Sequence, residues 1–192
     1  MSRLHSEGLR LTCRAMTPRI LPALAAALAV SAAPALAGVP APKADVATFA
    51  ELKTPLPFPY DETADASPGA VSAKVARAKA RAKRERKLLL IDLGGNWCTD
   101  CRILAGTMEL PTIKRFVDAH YVEVVLDSGR MDRNLHVPAA YGLPKLSGVP
   151  SVLVVDPRTD RLVNKGDVFA LSDARHMSPQ ALADWLAKWP TR

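Results

Sequence analysis

Cysteine is scarce in this sequence, whose 192 residues contain only three. Cys13 precedes the Ala-rich apolar segment 20–37, which follows two arginines and ends in the small-residue pattern Ala-Leu-Ala. These features are typical of a secretory signal peptide, and we expect cleavage after Ala37. The mature chain then keeps one closely spaced pair, Cys98 and Cys101. A framework of structural disulfides is thereby excluded, which leaves redox chemistry or metal binding for the pair.

An uncleaved membrane anchor is the alternative interpretation of segment 20–37. Its two prolines, its small side chains and a length at the short end for a membrane-spanning helix favour a cleaved signal instead. Met16 is an alternative start, because a signal peptide that begins there has a conventional length. We therefore predict a signal peptide at 1–37 and an exported protein.

The sequence also lacks a second pair of closely spaced metal ligands. Cys98 and Cys101 have the spacing of half a tetrahedral zinc site, which needs two further ligands. Beyond the apolar segment, His120, His136 and His176 each stand alone. Zinc binding stays open as the weaker hypothesis, and we predict no metal and no cofactor other than the cysteine pair itself.

Charge is distributed unevenly, because segment 71–87 contains eight Lys and Arg residues and a single acidic one, Glu85. Val71, Val75, Ala78 and Ala82 recur at helical spacing and predict an amphipathic helix with a solvated basic face. No aromatic residue interrupts the segment, and export argues against nucleic acid, so we predict no nucleic-acid partner. Contact with a membrane surface is the alternative interpretation of the basic face.

The remaining patterns predict a linker at 38–53 and a domain at 54–192. Strands are predicted at 88–93, 121–126, 151–155 and 161–165, the last two as a hairpin. Further helices are predicted at 98–108, 111–119 and 178–188, with a loop at 127–147.

The stretch Trp97-Cys98-Thr99-Asp100-Cys101 places two thiols three residues apart after an apolar run. On a helix, residues with this spacing have Cα atoms roughly 5–6 Å apart, which is within the range that a disulfide bridges. If the helix begins at Cys98, its unpaired N–H groups and its dipole favour the reactive thiolate there. Cys98 is therefore the predicted nucleophile and Cys101 the predicted resolving cysteine.

Together these features resemble the thioredoxin-fold family over roughly residues 60–190. The strand that ends in Asp92, the W-C-x-x-C motif, the Gly148-Val149-Pro150 sequence before a strand and the order of elements carry the resemblance. Tyr60-Asp61, the basic helix and the segment 94–98 are most similar to exported bacterial members and to the C-terminal thioredoxin domain of the membrane disulfide reductase. The resemblance implies an α/β thioredoxin fold: a central mixed β-sheet flanked by helices, an extra N-terminal basic helix and a lengthened loop before a cis-proline.

The resemblance also implies roles for individual residues. Pro150 matches the cis-proline that lies against the active disulfide and exposes the Val149 backbone to substrate. Asp92, six residues before Cys98, matches the buried acid that accepts a proton from the resolving cysteine, and burial among apolar neighbours raises the pKa of a carboxyl. Trp97 would cover one side of the disulfide and help to bind extended substrate. A trans proline, an aspartate that caps the strand and a core tryptophan are the respective alternatives.

The sequence departs from the family pattern at several positions. The dipeptide is Thr99-Asp100, and the charge of Asp100 opposes the nucleophilic thiolate, so we expect a less oxidising, reductase-side pair. Gly94 stands where thioredoxins have an additional tryptophan, and Glu123 replaces the lysine that partners the buried acid. The segment 127–147 is longer than in a minimal thioredoxin, and we expect it to shape partner choice.

These observations predict an exported thiol-disulfide oxidoreductase that reduces protein disulfides by dithiol–disulfide exchange. Its substrate would be a protein with a disulfide or an oxidised cysteine, and its electron donor, by family analogy, a membrane disulfide reductase. We expect a monomer in the periplasm. The alternative hypothesis is a non-catalytic thioredoxin-like binding or chaperone module that uses the same groove.

Overall fold

The computed structural model describes residues 39–190, so the predicted signal peptide and Cys13 lie outside the described residues. Within this range the helices are α1 (Pro68–Glu85), α2 (Thr99–Met108), α3 (Pro111–His120), α4 (His136–Ala139) and α5 (Pro179–Ala187). The strands are β1 (Leu88–Gly94), β2 (Tyr121–Asp127), β3 (Ser151–Asp156) and β4 (Arg161–Leu162). No helix in this part of the chain is both long and apolar enough to cross a membrane.

The strands form one sheet in the order β2-β1-β3-β4, in which β1 is parallel to β2 and antiparallel to β3. Successive side chains of β1 point to opposite faces of the sheet. Leu90 belongs to a core cluster with residues of α2, α3 and α5, whereas Leu89 and Ile91 belong to one with residues of α1. The predicted central mixed sheet flanked by helices is therefore confirmed.

Helix α1 is the predicted basic helix. The Ser67 hydroxyl caps its first turn and Pro68 occupies the first helical position, as is usual at a helix N-terminus. Val71, Val75 and Ala82 are buried against the sheet, while most of the basic side chains are exposed. The helix thus covers one face of the sheet with a narrow apolar stripe and presents its charge to solvent.

Residues 39–53, expected to be a linker, lie against the helices of the domain instead. The Ala44 N–H donates to Gln180 Oε1 at 2.9 Å, and the Asp45 carboxylate accepts from the Thr112 N–H at 2.9 Å. The apolar residues of this segment that contact or enter the core are Val39, Ala44, Phe49 and Leu52. The segment forms one short 3-10 helix, Phe49–Glu51, and is otherwise without regular structure. Such a chain can still form hydrogen bonds with neighbouring helices, and composition does not reveal these contacts.

The strand predicted at 161–165 is shorter than expected, because β4 ends at Leu162. The buried side chain of Asn164 then takes over the pairing with β3. Its Oδ1 accepts from the Val154 N–H at 2.8 Å, and its Nδ2 donates to the Val152 carbonyl at 2.8 Å. A side-chain amide thus satisfies two buried backbone groups that a longer strand would have satisfied with its main chain.

We expect Asn164→Ala to lower the free energy of unfolding by about 2–4 kcal/mol, because it leaves two buried backbone groups without partners. Chemical denaturation monitored by circular dichroism measures this change. The matched control is Val163→Ala, since Val163 is 42% exposed and its truncation should change stability by less than about 0.5 kcal/mol. A loss no larger than that of the control would show that the amide does not support β3.

Candidate functional site

The cysteine pair lies at the N-terminus of α2, just after the turn that follows β1. Cys98 is the N-cap residue of the helix, and its Sγ accepts a hydrogen bond from the Cys101 N–H at 3.2 Å. The thiol therefore lies at the positive end of the helix dipole, as predicted from the motif. Both cysteines are buried, and both are free thiols.

The two thiols differ in acidity. Hydrogen bonding from Cys101 lowers the pKa of Cys98 to about 7, against burial, which acts in the opposite direction. The pKa of Cys101 is raised by the same side-chain hydrogen bond and by burial. Near neutral pH Cys98 is thus substantially a thiolate and Cys101 a thiol, which is the division that a nucleophile and a resolving cysteine require.

The loop before β3 brings Val149 and Pro150 to the cysteine pair. The Val149–Pro150 peptide bond is cis, and both residues are buried. When protonated, the Cys98 thiol donates to the Val149 carbonyl, 3.4 Å away. The structure therefore brings these predicted substrate-binding residues next to the predicted nucleophile.

Trp97 forms an exposed wall beside the pair. Its side chain is 42% exposed, so the alternative of a core tryptophan is wrong. The indole N–H donates to the Gly129 carbonyl at 2.7 Å, and the Arg130 guanidinium lies 4.4 Å from the ring centroid. These contacts fix the ring in position while leaving much of its surface open to a bound molecule.

Gly129 and Arg130 belong to segment 127–147, which is more ordered than the loop expected there. Asp127 forms an ion pair with Arg133 at 2.6 Å, and the Ser128 N–H donates to the Gly94 carbonyl at 2.7 Å. The segment also contains α4, which packs on the core cluster beside β1 through Val137. The contacts of Gly129 and Arg130 with Trp97 therefore come from an ordered segment.

Asp92 occupies the centre of β1 and is only 2% exposed. Burial is the main cause that raises the pKa of its carboxyl to about 8, and the nearby Glu123 raises it further. The predicted buried acid is thus present, and the alternative of a strand cap is wrong. Glu123, in place of the family's lysine, offers no compensating positive charge.

Tyr60 is a site residue that the sequence analysis missed. Its hydroxyl lies 2.9 and 3.0 Å from the two oxygens of the Asp92 carboxyl and donates to it. A Cβ on Gly94 would lie 2.6 Å from the Tyr60 ring and 2.8 Å from Cys101 Sγ, so only glycine leaves room for both. Glycine at position 94, where the family has a tryptophan, was the signal in the sequence that could have revealed Tyr60. It implies that a side chain from elsewhere fills the space that the tryptophan would occupy.

Two hydrogen bonds hold Tyr60 in this place. Its N–H donates to Asn96 Oδ1 at 3.1 Å, and Asn96 Nδ2 donates to its carbonyl at 2.7 Å. The segment 54–67 before α1, here called the lead-in, is thereby joined to the turn that carries the cysteine motif.

Asp100, whose charge was expected to oppose the Cys98 thiolate, forms an ion pair with Arg175. It is buried and accepts hydrogen bonds from the Arg175 N–H at 2.8 Å and from the Arg175 Nε at 3.0 Å. Burial alone would raise the pKa of Asp100, but the bonds from Arg175 outweigh it and lower the pKa. The Asp100 charge still opposes the Cys98 thiolate, but the adjacent guanidinium offsets part of this effect. Thr99, the other residue of the dipeptide, is exposed.

The three histidines weighed as zinc ligands lie apart from each other. His120 ends α3, His136 begins α4, and His176 contacts Asp173 at 2.6 Å. Across residues 39–190, no three His, Cys, Asp or Glu side chains are grouped as metal ligands. The zinc hypothesis gains no support from this part of the chain.

Comparisons with known proteins agree with this architecture. Residues 70–157 match the family model described as thioredoxin-like. A disulphide isomerase from Xylella fastidiosa Temecula1 is 38% identical in sequence and superposes with a TM-score of 0.61, covering 69% of this chain and 97% of its own. No curated protein matches the chain.

Two further solved structures are more distant. A protein of unknown function from Pseudomonas aeruginosa is 20% identical, with a TM-score of 0.35 over 62% of this chain and 82% of its own. An HIV epitope scaffold is 21% identical, with a TM-score of 0.34, and the match covers 62% of this chain and 83% of the scaffold. The family model and the 38% identical relative, which is matched over nearly its whole length, show the family of this chain. These two matches, together with the mixed sheet, confirm the predicted thioredoxin fold. The chain belongs to the thioredoxin-like family.

Proposed function

We propose that this protein is a thiol-disulfide oxidoreductase that reduces disulfides in other proteins. The observation that carries the proposal is the pairing of an acidic thiol at the N-cap of α2 with a less acidic, buried thiol three residues later. A thioredoxin-like relative named as a disulphide isomerase supports the same class of chemistry. No cofactor beyond the two cysteines is needed for it.

The reaction proceeds in two exchanges. The Cys98 thiolate attacks one sulfur of a substrate disulfide, forms a mixed disulfide and releases the other substrate sulfur as a thiolate. Cys101 then loses its proton and attacks Cys98 Sγ, which releases the second substrate thiolate and leaves a Cys98–Cys101 disulfide. Asp92 is the proposed acceptor of the Cys101 proton, because a carboxyl with a pKa of about 8 exchanges protons near neutral pH.

The substrate would bind between Trp97 and the Val149–Pro150 bond. The exposed indole offers an apolar surface on one side of Cys98, and the backbone of Val149 lies on the other. The ordered segment 127–147 lies behind Trp97, which supports its proposed part in partner choice. An extended peptide that carries the disulfide fits such a site better than a globular surface does.

The proposed direction is reduction, because the Asp100 charge raises the pKa of Cys98 relative to a site without it. We further propose export to the periplasm, a membrane disulfide reductase as electron donor, and a monomer that binds neither metal nor nucleic acid.

Disulfide isomerisation is a second candidate function, because the 38% identical relative is named as a disulphide isomerase. Refolding of scrambled ribonuclease separates the two, because an isomerase retains activity with Cys98 alone whereas a reductase needs both thiols.

Cys101→Ser should accumulate mixed disulfides with substrate proteins, because the first exchange occurs but the second does not. Cys98→Ser should accumulate none, and neither variant should reduce insulin, whereas the native protein should. Non-reducing electrophoresis and insulin turbidity measure these outcomes. The reverse trapping pattern would exchange the roles of the two cysteines. A native protein that does not reduce insulin would favour the non-catalytic binding module.

Asp100→Asn and Arg175→Gln should change the acidity of Cys98 in opposite directions. The first removes a negative charge, so the pKa of Cys98 falls and the pair becomes more oxidising; the second exposes that charge, so the pKa rises. A change of about one pKa unit corresponds to about 30 mV in reduction potential. Alkylation rates against pH and equilibration with glutathione measure both quantities. Asp118→Asn, on the exposed face of α3, is the control, and equal effects of all three variants would refute the assignment.

Asp92→Asn should stabilise the reduced protein increasingly as pH rises. The folded pKa of about 8 exceeds the unfolded value of about 3.9, so stability due to Asp92 is complete below pH 4 and is lost as pH rises towards 8. The asparagine variant does not incur this loss, so its advantage at pH 7 is up to about 4 kcal/mol. Urea unfolding at pH 4 and pH 7 measures it, with the surface change Asp184→Asn as control. An advantage that does not depend on pH would contradict a raised pKa at Asp92.

A further inference from the structure

The Tyr60 hydroxyl stands between the acid and the resolving cysteine. It lies within hydrogen-bond distance of both oxygens of Asp92, and a Cβ placed on Gly94 would contact both the Tyr60 ring and Cys101 Sγ. Among the described residues, no hydrogen bond joins Asp92 directly to Cys101, whereas hydrogen bonding with the Cys101 thiol is one of the causes that raise the pKa of the Tyr60 hydroxyl. A proton that passes from the thiol to the carboxyl therefore has the phenol in its path.

The phenol is suited to pass a proton on and not to keep it. Tyr60 is fully enclosed, and both burial and the neighbouring Asp92 raise the pKa of its hydroxyl. A hydroxyl that stays neutral can accept one proton through its oxygen only if it gives up its own at the same time. The two bonds with Asn96 hold the backbone of Tyr60, from which the ring reaches Asp92.

We propose that the Tyr60 hydroxyl relays the proton between Cys101 and Asp92. The proposal rests on the dithiol–disulfide exchange proposed above. As Cys101 attacks Cys98 Sγ, its S–H proton moves to Tyr60 Oη, and the Tyr60 hydroxyl proton moves to Asp92. The electron pair left on Cys101 forms the Cys98–Cys101 bond, and the pair of the broken bond to the substrate leaves on the substrate sulfur as a thiolate. Reduction of the enzyme disulfide runs the same relay in reverse.

The titratable groups that face Asp92 come from three elements. Tyr60 reaches it from the lead-in, Glu123 from β2, and Cys98 and Cys101 from the start of α2. No lysine or arginine is among the groups that shift its pKa. Across residues 39–190, Tyr60 is the side chain that both donates to Asp92 and adjoins the resolving thiol.

The test uses an aromatic disulfide, 5,5′-dithiobis(2-nitrobenzoate), in single turnover with excess reduced protein. The first equivalent of coloured thiolate reports the attack by Cys98, and the second reports the attack by Cys101. Tyr60→Phe keeps the ring and removes the hydroxyl. We expect the first phase to be unchanged and the second to be slowed by about tenfold or more, the lower range of proton-transfer catalysis. Equal second phases in the native and variant proteins would overturn the relay.

The pH profile separates a relay from a merely structural role. In the native protein, the second-phase rate should rise and level off near the pKa of Asp92, about 8. In Tyr60→Phe this inflection should disappear, and the rate should rise steadily because solvent then removes the proton. Asp92→Asn should give the same profile, and the double variant should be no slower than either single one. An inflection that only moves to higher pH would mean that Tyr60 tunes Asp92 without relaying, and would overturn the proposal.

Controls distinguish the relay from the proposed function. Tyr141→Phe removes another hydroxyl, one that donates to Asp160 at 3.1 Å, and should alter neither phase. A native protein that releases no second equivalent would refute the proposed function itself, whereas two native phases with an unaffected Tyr60→Phe would refute the relay alone. If Tyr60→Phe fails to fold, 3,5-difluorotyrosine at position 60 keeps the side chain but makes the hydroxyl more acidic. It should change the second phase only, by about twofold or more, and an unchanged rate would overturn the relay.

Discussion

The hydrogen bond from Tyr60 to Asp92 is the interaction on which the arrangement of the site depends. Strand β1 is buried on both faces, so its Asp92 carboxyl is almost fully shielded from solvent, and no Lys or Arg among the described residues shifts its pKa. A buried polar group without a partner costs about 1–3 kcal/mol, and more when charged. Tyr60 supplies the missing donor, and this requires glycine at position 94 and a lead-in fastened by Asn96. Three residues, Tyr60 from a distant segment, Gly94 from the end of β1 and Asn96 from the turn after it, therefore serve one carboxyl.

The acidity of Cys98 results from two opposing influences whose balance can be read from the structure. Hydrogen bonds from Cys101 stabilise the thiolate, while burial and the charge of Asp100 oppose it. The net pKa of about 7 shows that the hydrogen bonds prevail. Asp100 therefore moderates a reactive thiol and does not abolish it, and Arg175 limits how far that moderation goes.

Local features of the sequence were enough to predict the strands, the main helices and the cysteine motif, because apolar runs, caps and prolines act over a few residues. The contacts that complete the site were not predictable in this way. Tyr60 and Asp92 are 32 residues apart, and Asp100 and Arg175 are 75 apart. No periodicity links such pairs, since each depends on how the chain folds back. For the same reason, the sequence did not predict that residues 39–53 contact the helices or that the Asn164 side chain pairs with β3.

The two aspartates of the site show how environment assigns different tasks to one residue type. Asp92 lies in the sheet without a cation, so its pKa rises to about 8. Asp100 is also buried, but the Arg175 guanidinium and N–H hold its pKa below the ordinary value. A carboxyl that titrates near neutrality can carry a proton, whereas one that stays ionised can only exert a constant field. Because Asp92 adjoins the less acidic thiol and Asp100 the more acidic one, the proton-carrying acid serves the cysteine that must lose a proton during turnover, and the permanent charge adjusts the cysteine that is already ionised.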